Sequence, residues 1–182
     1  MQHFLHTFAK ALLDRAERHD QSKLAAPEVQ LFTEFTPKLA GSTYGSPEYE
    51  GFRKAMGAAL QHHYAKNRHH PEHWPTPTGP EIDQLRADLR ALAVVRSEDD
   101  RACDDALARV TARLRADLAA MESSVNGMNL IDLVEMFCDW KAATERHHDG
   151  NIRKSIDTNQ ERFGISHQLA RAFQNTVEVV EG

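Results

Sequence analysis

The sequence predicts an all-α protein, a compact helical bundle with an inserted helical hairpin. Two observations carry that expectation. Apolar residues recur at spacings of three and four along most of the chain, and no stretch sustains period-two alternation of β-branched residues. The chain has 182 residues, enough for one domain with a real core, and 41% apolar with 27% charged residues is ordinary for a globular protein.

The first helix is expected over Gln2–Arg18, where Leu5, Phe8, Leu12 and Ala16 fall on one stripe. A second begins near Pro27, whose missing N–H costs nothing in a first helical turn, and carries Val29, Leu31 and Phe32 toward Leu39. The following AGSTYGSPEY is rich in Gly, Ser and Pro and reads as a loop. A third helix starts near Pro47 and continues into a histidine cluster, where Pro71 stops it. WPTPTGP is a stiff linker. Residues 81–95 and 99–122 are then two helical stretches of Ala, Leu, Arg and Asp with no histidine. This change of composition marks residues 76–124 as an inserted hairpin serving as lid, partner surface or homo-oligomer contact. SSVNG ends it. A strong helix follows over 129–148, then HDGN as a turn, then a helical region from Ile152 onward that Gly164 interrupts and Ser166 caps anew.

Composition excludes several classes of function. A net charge of −5 and a pI near 6.1 argue against a nucleic-acid backbone binder, which shows a basic face. No apolar run approaches the ~20 residues that span a bilayer, so no membrane partner is expected. The start, MQHFLHTFAK, lacks the basic and apolar regions of a signal peptide, and Cys103 and Cys138 form no pairing pattern; the cytoplasm is the expected compartment.

Three segments carry chemistry. In RHDQSK, the stripe of the first helix continues into His19, with Asp20 on the same broad face, so both are expected to point inward; a capping role for Asp20 is the plain alternative. Five of the eleven histidines lie between His62 and His73. The stripe Phe52, Met56, Ala59 runs on through His63 and Asn67 toward His70, whereas His62 and His69 share a neighbouring strip, and the alternative is a histidine-rich surface. Glu72 is close enough in sequence to orient these imidazoles or bind beside them. In MNLIDLVEMFCDWKAATER, Asp132, Glu135, Asp139 and Arg146 occupy one narrow strip, and apolar residues or alanine take most of the remaining circumference. Such a helix is expected to be surrounded, with its acids facing an enclosed polar site rather than solvent. Mixed His and carboxylate ligation suits Mn, Fe, Co, Ni or Zn, and a bound metal of this kind activates water and polarises a phosphoryl oxygen. Lys23, Arg68, Lys141 and Arg146 are placed in sequence to hold an anionic substrate. Cys138 is expected on the apolar side of its helix, and no nucleophile-elbow pattern occurs. In SIDTNQERF, Ser155, Asn159 and Arg162 share a face that reads a substrate or caps the core.

RAERHDQSKLAAPE, TYGSPEY, HHYAKNRHHPEHW, GMNLIDLVEMFCDWKAA and DGNIRKSIDTNQERFGIS together resemble an uncharacterised family of bacterial and phage proteins bearing a domain of unknown function. The resemblance spans nearly the whole chain outside 76–124. More distantly, the arrangement resembles the HD superfamily of metal-dependent phosphohydrolases. That likeness implies an HD-like helical fold with His19 and Asp20 as the His-Asp pair, Lys23 as the lysine after it, and Asp139 as the final aspartate. His63, His69 and His70 are similar to the extra histidines of two-metal members, and His6, on the same helix as His19, stands where those proteins use a histidine from a separate helix. The activity implied is hydrolysis of a nucleotide or other small phosphate ester. A divalent transition metal would be held by His19, Asp20, His63, His70 and Asp139, with Glu72 or Glu135 as base or further ligand and Lys23 and Arg68 on the phosphate. The alternative is a non-catalytic interaction protein in which the same centre is structural and the hairpin binds a partner.

Overall fold

The structure, a computed structural model, describes residues 1–43, 45–93, 101–146 and 150–181, and only the backbone of 101–103. Among the described residues the chain is all-α. Its helices are α1 (Gln2–Arg18), α2 (Glu28–Gly41), α3 (Pro47–Lys66), α4 (Pro80–Leu92), α5 (Arg101–Glu122), α6 (Leu130–Glu145), α7 (Ile152–Phe163) and α8 (His167–Glu181). None is long and apolar enough to cross a membrane. The expected end of the first hairpin helix at Val95, the start of the second at Asp99, and most of the HDGN turn lie outside the described residues.

The chain divides into two compact units. One comprises residues 1–74 and 128–155, the other 75–127 and 156–182, so the boundary falls within α7. In the first unit α1 packs against α6, and α2 against α3. Met56, Ala59, Met136, Phe137 and Ile152 are buried in its core. The stripe expected on α3 holds: Met56, Ala59 and His63 are all buried. Gly57 interrupts the helix with φ of 38° and ψ of −112°, a left-handed conformation that only glycine adopts without strain, and it kinks α3 on the way to the histidines. On α1 the stripe is displaced. Leu5 is 61% exposed and Ala16 is exposed, and the covered edge instead runs through Phe8, Leu12, Arg15 and His19.

The second unit pairs α4 with α5 as the expected hairpin, and the hairpin shares this unit with residues 156–182. Ser123 Oγ donates to Phe163 O at 2.6 Å, tying the end of α5 to the end of α7. Gly164 has φ of 62°, and a Cβ placed there would lie 2.4 Å from Ala119 O; a side chain is therefore excluded where the chain turns from α7 into α8. Leu169 N donates to Ser166 Oγ, the cap expected there. Asn159 is buried, whereas Arg162 is exposed and lies over Phe163, so this face is split between core and solvent.

Candidate metal centre

The His-Asp pair reaches the interior by leaving the helix rather than by continuing it. α1 ends at Arg18, and His19 takes φ −52°, ψ 127°. Asp20 follows with φ 57°, ψ 17°, a left-handed conformation that aspartate tolerates better than most residues. Lys23 N then donates to Asp20 O at 2.9 Å and a 3₁₀ turn, Gln21–Leu24, carries the chain onward. Both side chains point inward as expected from the helical stripe, but the turn aims them.

The histidine cluster is built in the same way. α3 stops at Lys66, and Asn67 is extended at φ −111°, ψ 108°. Asn67 Nδ2 donates to Ser22 Oγ and to His63 O, both at 2.8 Å, which docks this corner against the turn after α1. Because the helix ends five residues before Pro71, helical periodicity no longer ranks His69 and His70. His69 is only 1% exposed and lies inside with His63 and His70, against the expectation that paired it with His62. His62 faces a different partner: Glu28 Oε1 accepts from its Nδ1 at 2.7 Å.

Two buried carboxylates hold the Nδ1 side of these imidazoles and turn Nε2 toward Asp20. Glu135 Oε1 is 2.9 Å from His19 Nδ1 and 3.2 Å from His69 Nδ1. Glu28 Oε2 is 2.8 Å from His63 Nδ1 and also accepts from Ser22 Oγ at 2.9 Å. The opposite nitrogens then converge: His63 Nε2 and His69 Nε2 lie 3.3 and 3.5 Å from Asp20 Oδ1. His19 Nε2 lies 3.3 Å from Asp20 Oδ2 and 3.7 Å from Asp139 Oδ1, and His70 Nε2 is 2.9 Å from His63 Nε2. Two overlapping ligand groups result, Asp20/His63/His69/His70 and His19/Asp20/His69/Asp139, each with its ligand atoms within 4.8 Å of one another. Carboxylate–imidazole pairs of this kind fix ring orientation and tautomer at metal sites.

The fit to a cation rests on atoms that the protein leaves unsatisfied. Asp20 Oδ1 and His69 Nε2 are buried and have no hydrogen-bond partner. Native interiors rarely leave such groups unpaired, and a metal ion between them would satisfy both. The electrostatics agree. Burial, reinforced by His69 and His63, pushes His70 down to about 3, so its nitrogen carries a lone pair at neutral pH. Burial likewise lowers His63. Contact with Asp139 and the bond to Glu135 raise His19 to about 10 without metal, so loading the centre near pH 7 displaces a proton from it. Burial alone would raise Asp20, but Lys23 Nζ, 2.5 Å from Oδ2, outweighs it and keeps the carboxylate ionised.

The network extends along α6. Asn129 caps this helix in a reciprocal box with Asp132, whose Oδ2 accepts from Asn129 N at 3.1 Å. Asp132, 0% exposed, also accepts from Arg15 at 2.9 Å and from Arg68 at 3.0 and 3.3 Å. Arg15 continues to Glu135 Oε2 at 2.5 Å. The strip of acids on α6 thus faces an enclosed polar site as expected, although Cys138 is exposed rather than on the apolar side. Asp139 and Glu135 both reach the centre. Arg68 pairs its guanidinium with Asp132 and stacks it on Trp74 at 4.3 Å. Glu72 is exposed on the turn Pro71–His73, and His73 Nδ1 bonds Tyr64 O at 3.2 Å. His6 is exposed on α1, thirteen residues before His19 and so about 20 Å away along the helix. Neither Glu72 nor His6 belongs to the ligand groups. The first histidine of the HD pattern, which those proteins take from a separate helix, is therefore not supplied by His6, because the start of α1 faces solvent.

Arg15 and Glu28 are the functional residues that periodicity missed. Arg15 lies between the apolar positions of its helix, and Glu28 follows Pro27 in a first turn where an acid is expected for the helix dipole alone. Its place in RHDQSKLAAPE was the available signal. Glu28→Gln is expected to lower metal affinity about 10–100-fold by freeing the tautomer of His63, with little change in fold. Titration of the chelated protein with Zn or Mn would measure this, and an unchanged affinity would remove Glu28 from the centre. Comparison with curated proteins finds no match, nor does comparison with solved structures. A family model matches residues 1–96 and 110–181, including α4 and most of α5, and the chain belongs to the family of unknown function DUF5662.

Proposed function

We propose that this protein is a metal-dependent phosphohydrolase, HD-like in its site, acting on a small phosphate ester. The observation that carries the reading is the convergence of four imidazole nitrogens with the carboxylates of Asp20 and Asp139, where Asp20 Oδ1 and His69 Nε2 are buried and unsatisfied. A divalent transition metal (Mn, Fe, Co, Ni or Zn) supplies activation of water and polarisation of a phosphoryl oxygen when bound. Asp20 and His69 would hold it together with His63 and His70, or with His19 and Asp139. Asp20 belongs to both groups, and its two oxygens face different imidazoles. Glu135 and Glu28 orient the rings. Lys23, whose side chain is 30% exposed, stands at the rim beside Asp20, where its ammonium can bind phosphate.

Elemental analysis of the purified protein tests the first half: one or two equivalents of a transition metal are expected. Hydrolysis of phosphomonoesters, lost on chelation and restored by Mn, Co, Ni or Zn, tests the second. Absence of metal, with no gain on adding it, overturns the reading. A second reading keeps the centre but gives it a structural task, because it ties the ends of α1 and α3 to the middle of α6. In that case metal raises thermal stability, by about 2.7 kcal/mol at one hundred times Kd, while no ester is turned over.

A further inference from the structure

Beside the centre, in the same unit, lies a cleft of about 130 Å³ whose walls include Lys23, Phe32, Leu39, Tyr49 and Arg146. Its position relative to the centre follows from three contacts. Lys23 shares its ammonium between Asp20, at 2.5 Å, and the face of Phe32, at 4.9 Å from the ring centroid. Phe32 in turn packs on the ligand imidazole of His63, with ring centroids 5.0 Å apart. On α6, Ala143 and Arg146 follow Asp139 by four and seven residues, hence on the same strip, with Arg146 about 10 Å along the helix. The cleft is thus one side chain from the metal ligands and extends away from them.

Its lining contains two cations and no carboxylate, in a chain of net charge −5. Lys23 is already paired with Asp20. Arg146 is exposed, and its Nε donates only to Ala142 O at 3.2 Å, within its own helix; among the described residues no acid neutralises it. A guanidinium held this way presents its two terminal nitrogens as a fork suited to a carboxylate or phosphate. The space corresponds to about four waters at ~30 Å³ each, enough for a short chain ending in an anion. Phe32 and Leu39 furnish an apolar wall for its methylenes.

We infer that this cleft receives the organic part of the substrate and that Arg146 reads a second anionic group on it. The substrate class is then a compact phosphate ester carrying a carboxylate or second phosphate a few bonds from the reacting phosphorus. This rests on the phosphohydrolase reading of the neighbouring centre.

Calorimetric titration of the metal-loaded protein with 3-phosphonopropionate and methylphosphonate, which are not hydrolysed, separates the two anionic groups. Wild type is expected to bind 3-phosphonopropionate at least ten-fold tighter, and Arg146→Gln, at an exposed helix end, is expected to abolish that preference while leaving methylphosphonate affinity unchanged. Arg146→Lys should retain part of it. Equal affinities in wild type, a preference that survives Arg146→Gln, or no binding of either phosphonate overturns the inference. The failure of the underlying reading looks different: the preference is present, yet no phosphomonoester is hydrolysed with any of the four metals.

Discussion

Asp20→Asn is expected to abolish stoichiometric metal binding and, with it, phosphoester hydrolysis. Asp20 is the one residue common to both ligand groups through a carboxylate, and each of its oxygens faces a different imidazole at 3.3 Å. Asparagine preserves the volume and accepts the left-handed backbone at φ 57°, so the turn that aims His19 survives the change. The amide, however, brings no charge, and one of its two positions becomes a donor that repels a cation. Loss of an outer-shell partner lowers metal affinity by 10–100-fold, and loss of this ligand should exceed the upper end, about 100-fold. The metal-free variant should unfold within about 1 kcal/mol of metal-free wild type, because Oδ1 had no partner to lose and asparagine keeps an oxygen that accepts from the partly solvated Lys23. Elemental analysis and denaturant unfolding of both proteins after chelation measure the two effects. A variant that retains a full equivalent of metal would show that the histidines alone form the site.

The largest stability effect is expected at Asp132. Its carboxylate is fully buried and joins three structures: the cap of α6, Arg15 of α1 and Arg68 beyond the end of α3. Burial by itself would raise the Asp132 carboxyl, yet the bonds from Arg68, the Asn129 backbone and Arg15 hold it below its ordinary value. Asp132→Ala removes the carboxylate and leaves the guanidinium groups behind. For a buried pair that costs 3–5 kcal/mol. The Arg15 and Arg68 side chains are 26% and 43% exposed, so water reclaims part of their charge, and about 3 kcal/mol is expected after including the lost cap. Asp132→Asn keeps an acceptor for the cap and should lose about half as much. Denaturant midpoints at constant slope report this. An unchanged midpoint for Asp132→Ala would mean that the arginines are held by packing on their aliphatic stems. The metal-free protein should also lose this contribution in acid: the depressed carboxyl stabilises the fold above its unfolded pKa of about 4, and the stabilisation disappears as pH falls through the lower folded value.

Local periodicity determined where the helices are. The bounds of α1, the start of α3, the hairpin pair and the break between α7 and α8 at Gly164 were all readable, because each depends on side-chain spacing and on Pro, Gly or Ser acting on their immediate neighbours. The three chemical segments were also legible, as histidines and acids on faces that an apolar stripe turns inward. Tertiary structure decided the rest at the points where the helices stop. His19, Asp20, His69 and His70 all lie outside regular helix, where a 100° step per residue no longer says which way a side chain points. There the direction is set by a left-handed aspartate, by Asn67 docking onto Ser22, and by two buried glutamates that grip one nitrogen of His19, His63 and His69. Arg15 and Glu28 were invisible for the same reason: a partner 120 residues away, or 35, leaves no trace in local spacing. The sequence alone determined the ligand chemistry and the helices that deliver it; the packing of chain ends onto α2 and α6 decided which atoms meet.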